Sequence, residues 1–195
     1  MERNSLRAQK NVILPRKFYD RPAVHVARDL LGKVLAHGET AGIIVETEAY
    51  PGGDDLASHS ATGITDRTRV IFGPPGHAYV YLSYGMHECL NIVAERDGIA
   101  GCVLIRALQP VSGIELMRAR RRCAKDRDLT SGPGKLTQAL GITRAHYGAD
   151  MTRGELVVSD GAGEVEIVAS KRIGITKCAD RLLRFSIAGN VYVSK

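Results

Sequence analysis

Residues 46–50 read Glu46-Thr-Glu-Ala-Tyr50 and follow directly on the apolar run Ile43-Ile44-Val45. Side chains alternate along an extended strand. The pattern therefore predicts Ile44, Glu46, Glu48 and Tyr50 on one outer face, and Ile43, Val45, Thr47 and Ala49 on the other. An acid beside an aromatic on a sheet surface suits hydrolysis of a flat, stackable substrate. A second segment, Tyr79-Val-Tyr-Leu-Ser-Tyr-Gly-Met-His-Glu-Cys-Leu-Asn91, concentrates three of the seven tyrosines and ends in an amide.

The chain that must position these groups has 195 residues, which is enough for one domain with a full core. Apolar residues make up 44% and charged residues 25%, as in soluble globular proteins. The balance of 27 Lys+Arg against 21 Asp+Glu gives a net charge of +6, which fits a nucleic-acid partner as well as an ordinary basic surface. The four cysteines, Cys89, Cys102, Cys123 and Cys178, form no Cys-x-x-Cys pair and match no zinc spacing. Cys89 and Cys102 sit in apolar runs and read as core thiols. His37, His59, His77 and His87 lack ligand spacing with one another or with the cysteines, so no metal is expected. No apolar run approaches the roughly 18 residues of a membrane span, and the N-terminus lacks a signal-peptide stretch. A reducing cytoplasm is the expected location.

Residues 1–13 are polar and are expected to fray. A helix is predicted over 21–31, capped by Asp20 and stopped by Gly32. Strands are predicted over 33–37, 41–50 and 102–108, and a long loop runs from Pro51 to about Gly76. Strands over 78–84 and 88–94 meet at Gly85 as a hairpin. A very basic helix follows Ile114 and carries Arg118, Arg120, Arg121 and Arg122. Another begins at Ser131 and Pro133 and ends near Gly141. Residues 155–194 read as strand-rich. Strands joined by turns and flanked by few helices predict a single α+β domain with a largely antiparallel sheet. Gly132-Pro-Gly-Lys135 hints at a phosphate loop, but Leu136 stands where Ser or Thr is required. A helix start whose amides meet a phosphate is the better reading.

The motifs Glu46-Thr-Glu-Ala-Tyr50, Ala57-Ser-His-Ser60, Tyr79-Val-Tyr81, Tyr84-Gly-Met86, Leu90-Asn-Ile92, Leu104-Ile-Arg-Ala-Leu108 and Ser131-Gly-Pro-Gly-Lys-Leu136 occur in one order. In this the chain closely resembles the alkyladenine (3-methyladenine) DNA glycosylase family, from about Leu14 to Leu140 and more weakly to Arg184-Phe185. The resemblance implies a compact, monomeric fold with a curved antiparallel sheet, a protruding hairpin and no cofactor. It implies double-stranded DNA containing a damaged purine as partner, with the base flipped into an aromatic pocket and cut from its sugar by water.

Carried onto this sequence, the resemblance makes Glu48 the base that activates water, with Arg106 orienting the water or binding phosphate beside it. Tyr50, His59, Tyr81 and Asn91 would form the base pocket. Tyr84 and Met86 would enter the duplex. Arg67, Arg69, Gly132 and Lys135 would meet the DNA backbone. Two departures stand out: Thr68 follows Arg67 where Asn is common, and His87-Glu88 follows the hairpin Gly-Met where an aromatic is common. The chain also lacks the long basic extension of mammalian relatives, which favours a bacterial source.

One carboxylate is chemically sufficient for such a reaction. A purine alkylated at N3 or N7 is already cationic and leaves readily, so the acid partner used by sugar hydrolases is dispensable. A cationic base would also be drawn to the faces of Tyr50 and Tyr81, by roughly 0.5–2 kcal/mol per contact. A neutral base such as hypoxanthine lacks that help. A non-catalytic binder of damaged DNA and a nucleoside hydrolase are the alternatives. Glu48 argues against the first, and the basic helix and Tyr84 argue against the second.

Overall fold

A computed structural model of the chain describes residues 12–123, 125–161 and 163–194. Eight strands form one antiparallel sheet: β1 (Val34–His37), β2 (Thr40–Pro51), β3 (Ala78–Ser83), β4 (His87–Val93), β5 (Gly101–Ser112), β6 (Leu156–Ser159), β7 (Ile167–Ser170) and β8 (Arg184–Ile187). The main path runs β3-β4-β5-β2-β1-β6. β2 and β5 pair along nearly their whole lengths. On the other edge of β2, β1 covers residues 40–43 and β8 covers Glu46–Glu48. The expected α+β domain and its antiparallel sheet are therefore present.

Helices α2 (Ala23–Asp29) and α5 (Pro133–Leu140) lie on one face of this sheet. A short helix, α1 (Arg16–Tyr19), precedes them, and α3 (Ile114–Arg121) and α4 (Asp126–Leu129) sit between β5 and α5. Val26, Ala27, Leu136, Ala139 and Leu140 pack with Ile44, Ala49, Leu90, Ile92, Val103 and Ile105 in the main core. Burying each such aliphatic side chain stabilises the fold by roughly 1.5–3 kcal/mol. A second cluster, Ile71, Tyr79, Val93, Ala100 and Cys102, lies on the opposite face and supports the site.

Several sequence expectations need correction. The first long helix spans 23–29, and its N-cap is Pro22 with no side-chain cap, so Asp20 does not serve. β5 continues past the expected end at Leu108 to Ser112, with Pro110 accommodated beside a register shift at Ala41/Gly42. The 155–194 tail contains three four-residue strands, and residues 171–183 are a loop. Of residues 1–13, the first eleven lie outside the described residues. Ile13 bridges Ser159, and the Leu14 N–H donates to the Val158 carbonyl.

The basic helix forms, but its arginines are engaged within the fold. Arg118 pairs with Glu115 and Asp126. Arg120 donates to the Ala139 carbonyl at 3.1 Å and Arg121 to Gln138 Oε1. These contacts clamp α3 to the last turn of α5, where a cation also complements the helix dipole.

Candidate active site

The face opposite the helices opens into a cavity of about 650 Å³. Strand register explains its floor. Tyr79 pairs with Asn91, Asn91 with Leu104, and Leu104 with Glu48, so four side chains form one row across β3, β4, β5 and β2. Tyr50 and Cys102 pair one step along, and Tyr81 and Cys89 pair on the other side. Tyr50, Tyr79, Tyr81, Asn91 and Arg106 line the cavity, with His59 and Arg67 on one wall and residues 173–177 on another.

Glu48 is fully buried beneath this floor and does not itself line the cavity. Its Oε2 accepts from the Tyr50 hydroxyl at 2.8 Å and its Oε1 from the Ile173 N–H at 2.8 Å. Arg106 Nη1 lies 3.2 Å from the same Oε1. Arg106 also donates through Nε to Glu46 Oε1 at 3.0 Å, so one guanidinium bridges both acids. Glu46 further accepts from Arg184 at 2.7 Å and from the Ser194 N–H at 2.7 Å.

The expected outer face is thus an interior one: Glu46 and Glu48 are both buried. Buried carboxylates persist only when paired and hydrogen-bonded, and both are. The four-residue stripe is also broken. Register shifts flank Glu46, leaving Val45 without a partner on β5. Ile44 therefore joins Ala49 in the main core, and Glu46, Glu48 and Tyr50 make up the other face.

Each pocket residue has an environment that fixes its state. Burial, and then the charge of Glu48, pushes the Tyr50 phenol well above its ordinary range, so it remains a donor to that carboxylate. Burial, and then Arg67, lowers the His59 pKa to about 4, so the ring is neutral near pH 7. His59 Nδ1 lies 2.8 Å from the Tyr79 hydroxyl, and its ring meets Tyr81 edge-on at 4.6 Å. Burial pushes Tyr79 up to about 12. Tyr79 and Tyr81 stack at 5.3 Å. Asn91 is buried and donates to the Tyr79 carbonyl at 3.3 Å.

The expected backbone contacts are placed unevenly. Arg67 lines the cavity with its guanidinium 5.0 Å from the Tyr81 centroid and 3.5 Å from His59 Nε2. Arg69 pairs with Asp66 outside it. Lys135 lies 3.8 Å from Asp128, and Gly132 precedes α5, whose Pro133 reaches the cavity wall. Thr68 is buried and donates to the Gly63 carbonyl at 2.7 Å, so it ties its own loop together.

β3 and β4 form a hairpin with Tyr84, Gly85 and Met86 at its tip. The Met86 N–H donates to the Ser83 carbonyl, and Tyr84 and Gly85 have φ of 49° and 69°. Tyr84 is 84% exposed and Met86 73%. Glu88 turns towards Arg144 at 3.2 Å, which compensates the acid next to the tip.

Sequence reasoning missed Tyr79 as a pocket residue, although its two-residue spacing from Tyr81 carries that signal. It also missed the loop of residues 173–177, whose composition has no period. Among the described residues no group of three His, Cys, Asp or Glu side chains is disposed to hold a metal. No helix among them is long and apolar enough to cross a membrane.

The family model described as Methylpurine-DNA glycosylase (MPG) matches residues 17–191. A relative from Methanocella arvoryzae, provisionally named a 3-methyladenine DNA glycosylase, is 53% identical over 178 residues, covering 88% of this chain and 89% of its own. One from Methanoculleus marisnigri with the same name is 52% identical over 93% of this chain and 98% of its own. A third with that name, from Chlorobaculum tepidum, is 50% identical over 91% and 88%.

Proposed function

The chain belongs to the methylpurine-DNA glycosylase family and is a DNA N-glycosylase, and we propose that it flips alkylated or deaminated purines from duplex DNA and hydrolyses them off with a water activated by Glu48. The lesions are of the 3-methyladenine, 7-methylguanine, hypoxanthine and ethenoadenine type. The observation that carries this reading is the buried Glu48 held by the Tyr50 hydroxyl and Arg106 directly beneath the floor of a tyrosine-lined cavity.

A carboxylate oxygen has two acceptor sites. Oε2 receives one bond from Tyr50 and keeps a lone pair for a water. Water oxygen attacks C1′ as the C1′–N9 bond breaks, its proton passes to Glu48, and the bond pair leaves with the purine. A base alkylated at N3 or N7 departs neutral; hypoxanthine must gain a proton. Tyr50 and Tyr81 stack on the base, His59 faces the sugar and phosphate, and Asn91 reads the purine edge. The Asn91 side chain clashes with the exocyclic amine of normal guanine. The Tyr84 side chain fills the space left in the duplex, with Met86 beside it. Arg69, Gly132 and Lys135 meet phosphates, in part through the amides at the start of α5. The enzyme acts as a monomer on chromosomal DNA in the cytoplasm.

Duplexes carrying one defined lesion test the reading. Wild type should generate alkali-labile abasic sites, and Glu48→Gln should retain lesion binding. Tight binding without base release by wild type would make the protein a damage binder.

A further inference from the structure

The loop that carries the Ile173 amide to Glu48 is pinned by a guanidinium that the proposed chemistry does not use. Arg172 and Asp55 have fully buried side chains and form a two-pronged pair at 2.6 and 2.8 Å. Arg172 Nη1 also donates to the Ala49 carbonyl at 3.1 Å. Its guanidinium carbon lies 4.6 Å from the Tyr50 centroid. The next peptide in the chain supplies the Ile173 N–H to Glu48.

Stability alone is a poor reason for this arrangement. A buried ion pair often gains nothing over well-packed apolar residues of the same volume. Here, moreover, the buried Arg172 Nε has no partner among the described residues, and an unmet buried donor is unfavourable. What the pair does achieve is geometric. One rigid fork ties together the loop at Asp55, strand β2 at Ala49, the ring of Tyr50 and the loop that carries Ile173. Ile173 is itself 36% exposed and belongs to neither apolar core cluster.

We propose that Arg172, locked by Asp55, is a positioning residue of the glycosylase: it fixes the Tyr50 ring as a platform and holds the Ile173 amide on Glu48. This rests on the function proposed above. Lysine retains the charge but not the planar fork, so Arg172→Lys is an informative substitution. Asp55→Asn is nearly isosteric and leaves the arginine in place, and it carries the test if the first variant fails to fold.

Two readouts decide the matter. In both variants amides 173–177 should exchange with deuterium at least tenfold faster, while β5 amides keep wild-type protection. Single-turnover excision per folded molecule should fall ten- to hundredfold, with affinity for lesion duplex within about threefold. Wild-type exchange at 173–177, or an excision rate within twofold of wild type, overturns the proposal. So does uniform loss of protection across the sheet, which would mark the pair as merely structural. If wild type releases no base from any lesion, the function proposed above fails; the anchoring of the loop is then decided by the exchange data alone.

Discussion

The Tyr50 hydroxyl donates to Glu48 Oε2 at 2.8 Å, so the residue offered as a stacking surface is also a hydrogen-bond partner of the residue offered as the base. The two sit two positions apart on β2, and that spacing puts both on the same face. Tyr50→Phe separates the roles, since it keeps the ring and deletes the donor. A hydrogen bond to a charged group is worth about 1.5–3 kcal/mol. The variant should therefore lose roughly ten- to hundredfold in single-turnover excision of hypoxanthine and retain its affinity for lesion duplex. Glu48→Gln should lose more, in the range of about 10²–10⁴ typical of a lost general base. A phenylalanine variant as fast as wild type would reduce Tyr50 to a stacking surface.

His59 gives the site a pH signature. Its folded pKa, about 4, lies below the ordinary histidine value of 6.5 because of burial and then Arg67. The unfolded chain therefore binds a proton that the folded chain refuses. The stability tied to His59 is complete above the unfolded value and is lost as pH drops from about 6.5 to about 4. Urea unfolding at pH 7 and pH 4.5 should show this loss in wild type and a smaller one in His59→Gln. The same pH slope in both proteins would place the acid sensitivity elsewhere.

The pocket tyrosines are not bare π-faces waiting for a cation. Arg67 lies over Tyr81 and Arg172 against Tyr50. A cationic purine stacking on Tyr81 must share the ring with Arg67 or displace it. Arg67→Ala should then raise excision of 7-methylguanine relative to hypoxanthine by roughly threefold to tenfold, the scale of one cation–π contact. If Arg67 binds a phosphate instead, both lesions should slow together and the ratio should stay put.

Much of the site was legible because it lies on strands. The period of two puts Glu48 and Tyr50 on one face of β2, and pairing then sets Glu48 and Asn91 in one row with Tyr50 and Tyr81 on either side of it. What the period could not show was the irregularity at Val45. It sends Ile44 to the core and, with the cover provided by β8 and Ser194, buries Glu46. The loop at residues 171–177 was illegible for a different reason. Its contacts with Asp55 and Glu48 span more than 100 positions, and no local pattern encodes such a distance. The partners of the α3 arginines were illegible because charge counts do not reveal them. Ala139 and Gln138 become partners only once α5 is packed alongside.

Tyr84 is where local geometry and exposure point the same way. Its φ of 49° is a backbone conformation that a bulky side chain adopts at a cost of about 1–3 kcal/mol. With 84% of the residue exposed, no core packing offsets that strain. The reading given above supplies the offset in the complex with DNA, where the ring fills the gap left by an extruded purine. Extrusion costs a few kcal/mol in lost stacking and pairing, and an inserted side chain recovers part of it. Tyr84→Gly would relieve the strain and delete the ring, whereas Tyr84→Ala deletes the ring and keeps most of the strain. Both should cut excision most on well-paired hypoxanthine and least on mispaired hypoxanthine, which already tends to open. Melting temperatures should barely move for alanine and should stay level or rise for glycine. Equal losses on paired and mispaired substrates would remove the wedge. A marked fall in melting temperature for both variants would show that Tyr84 serves the fold.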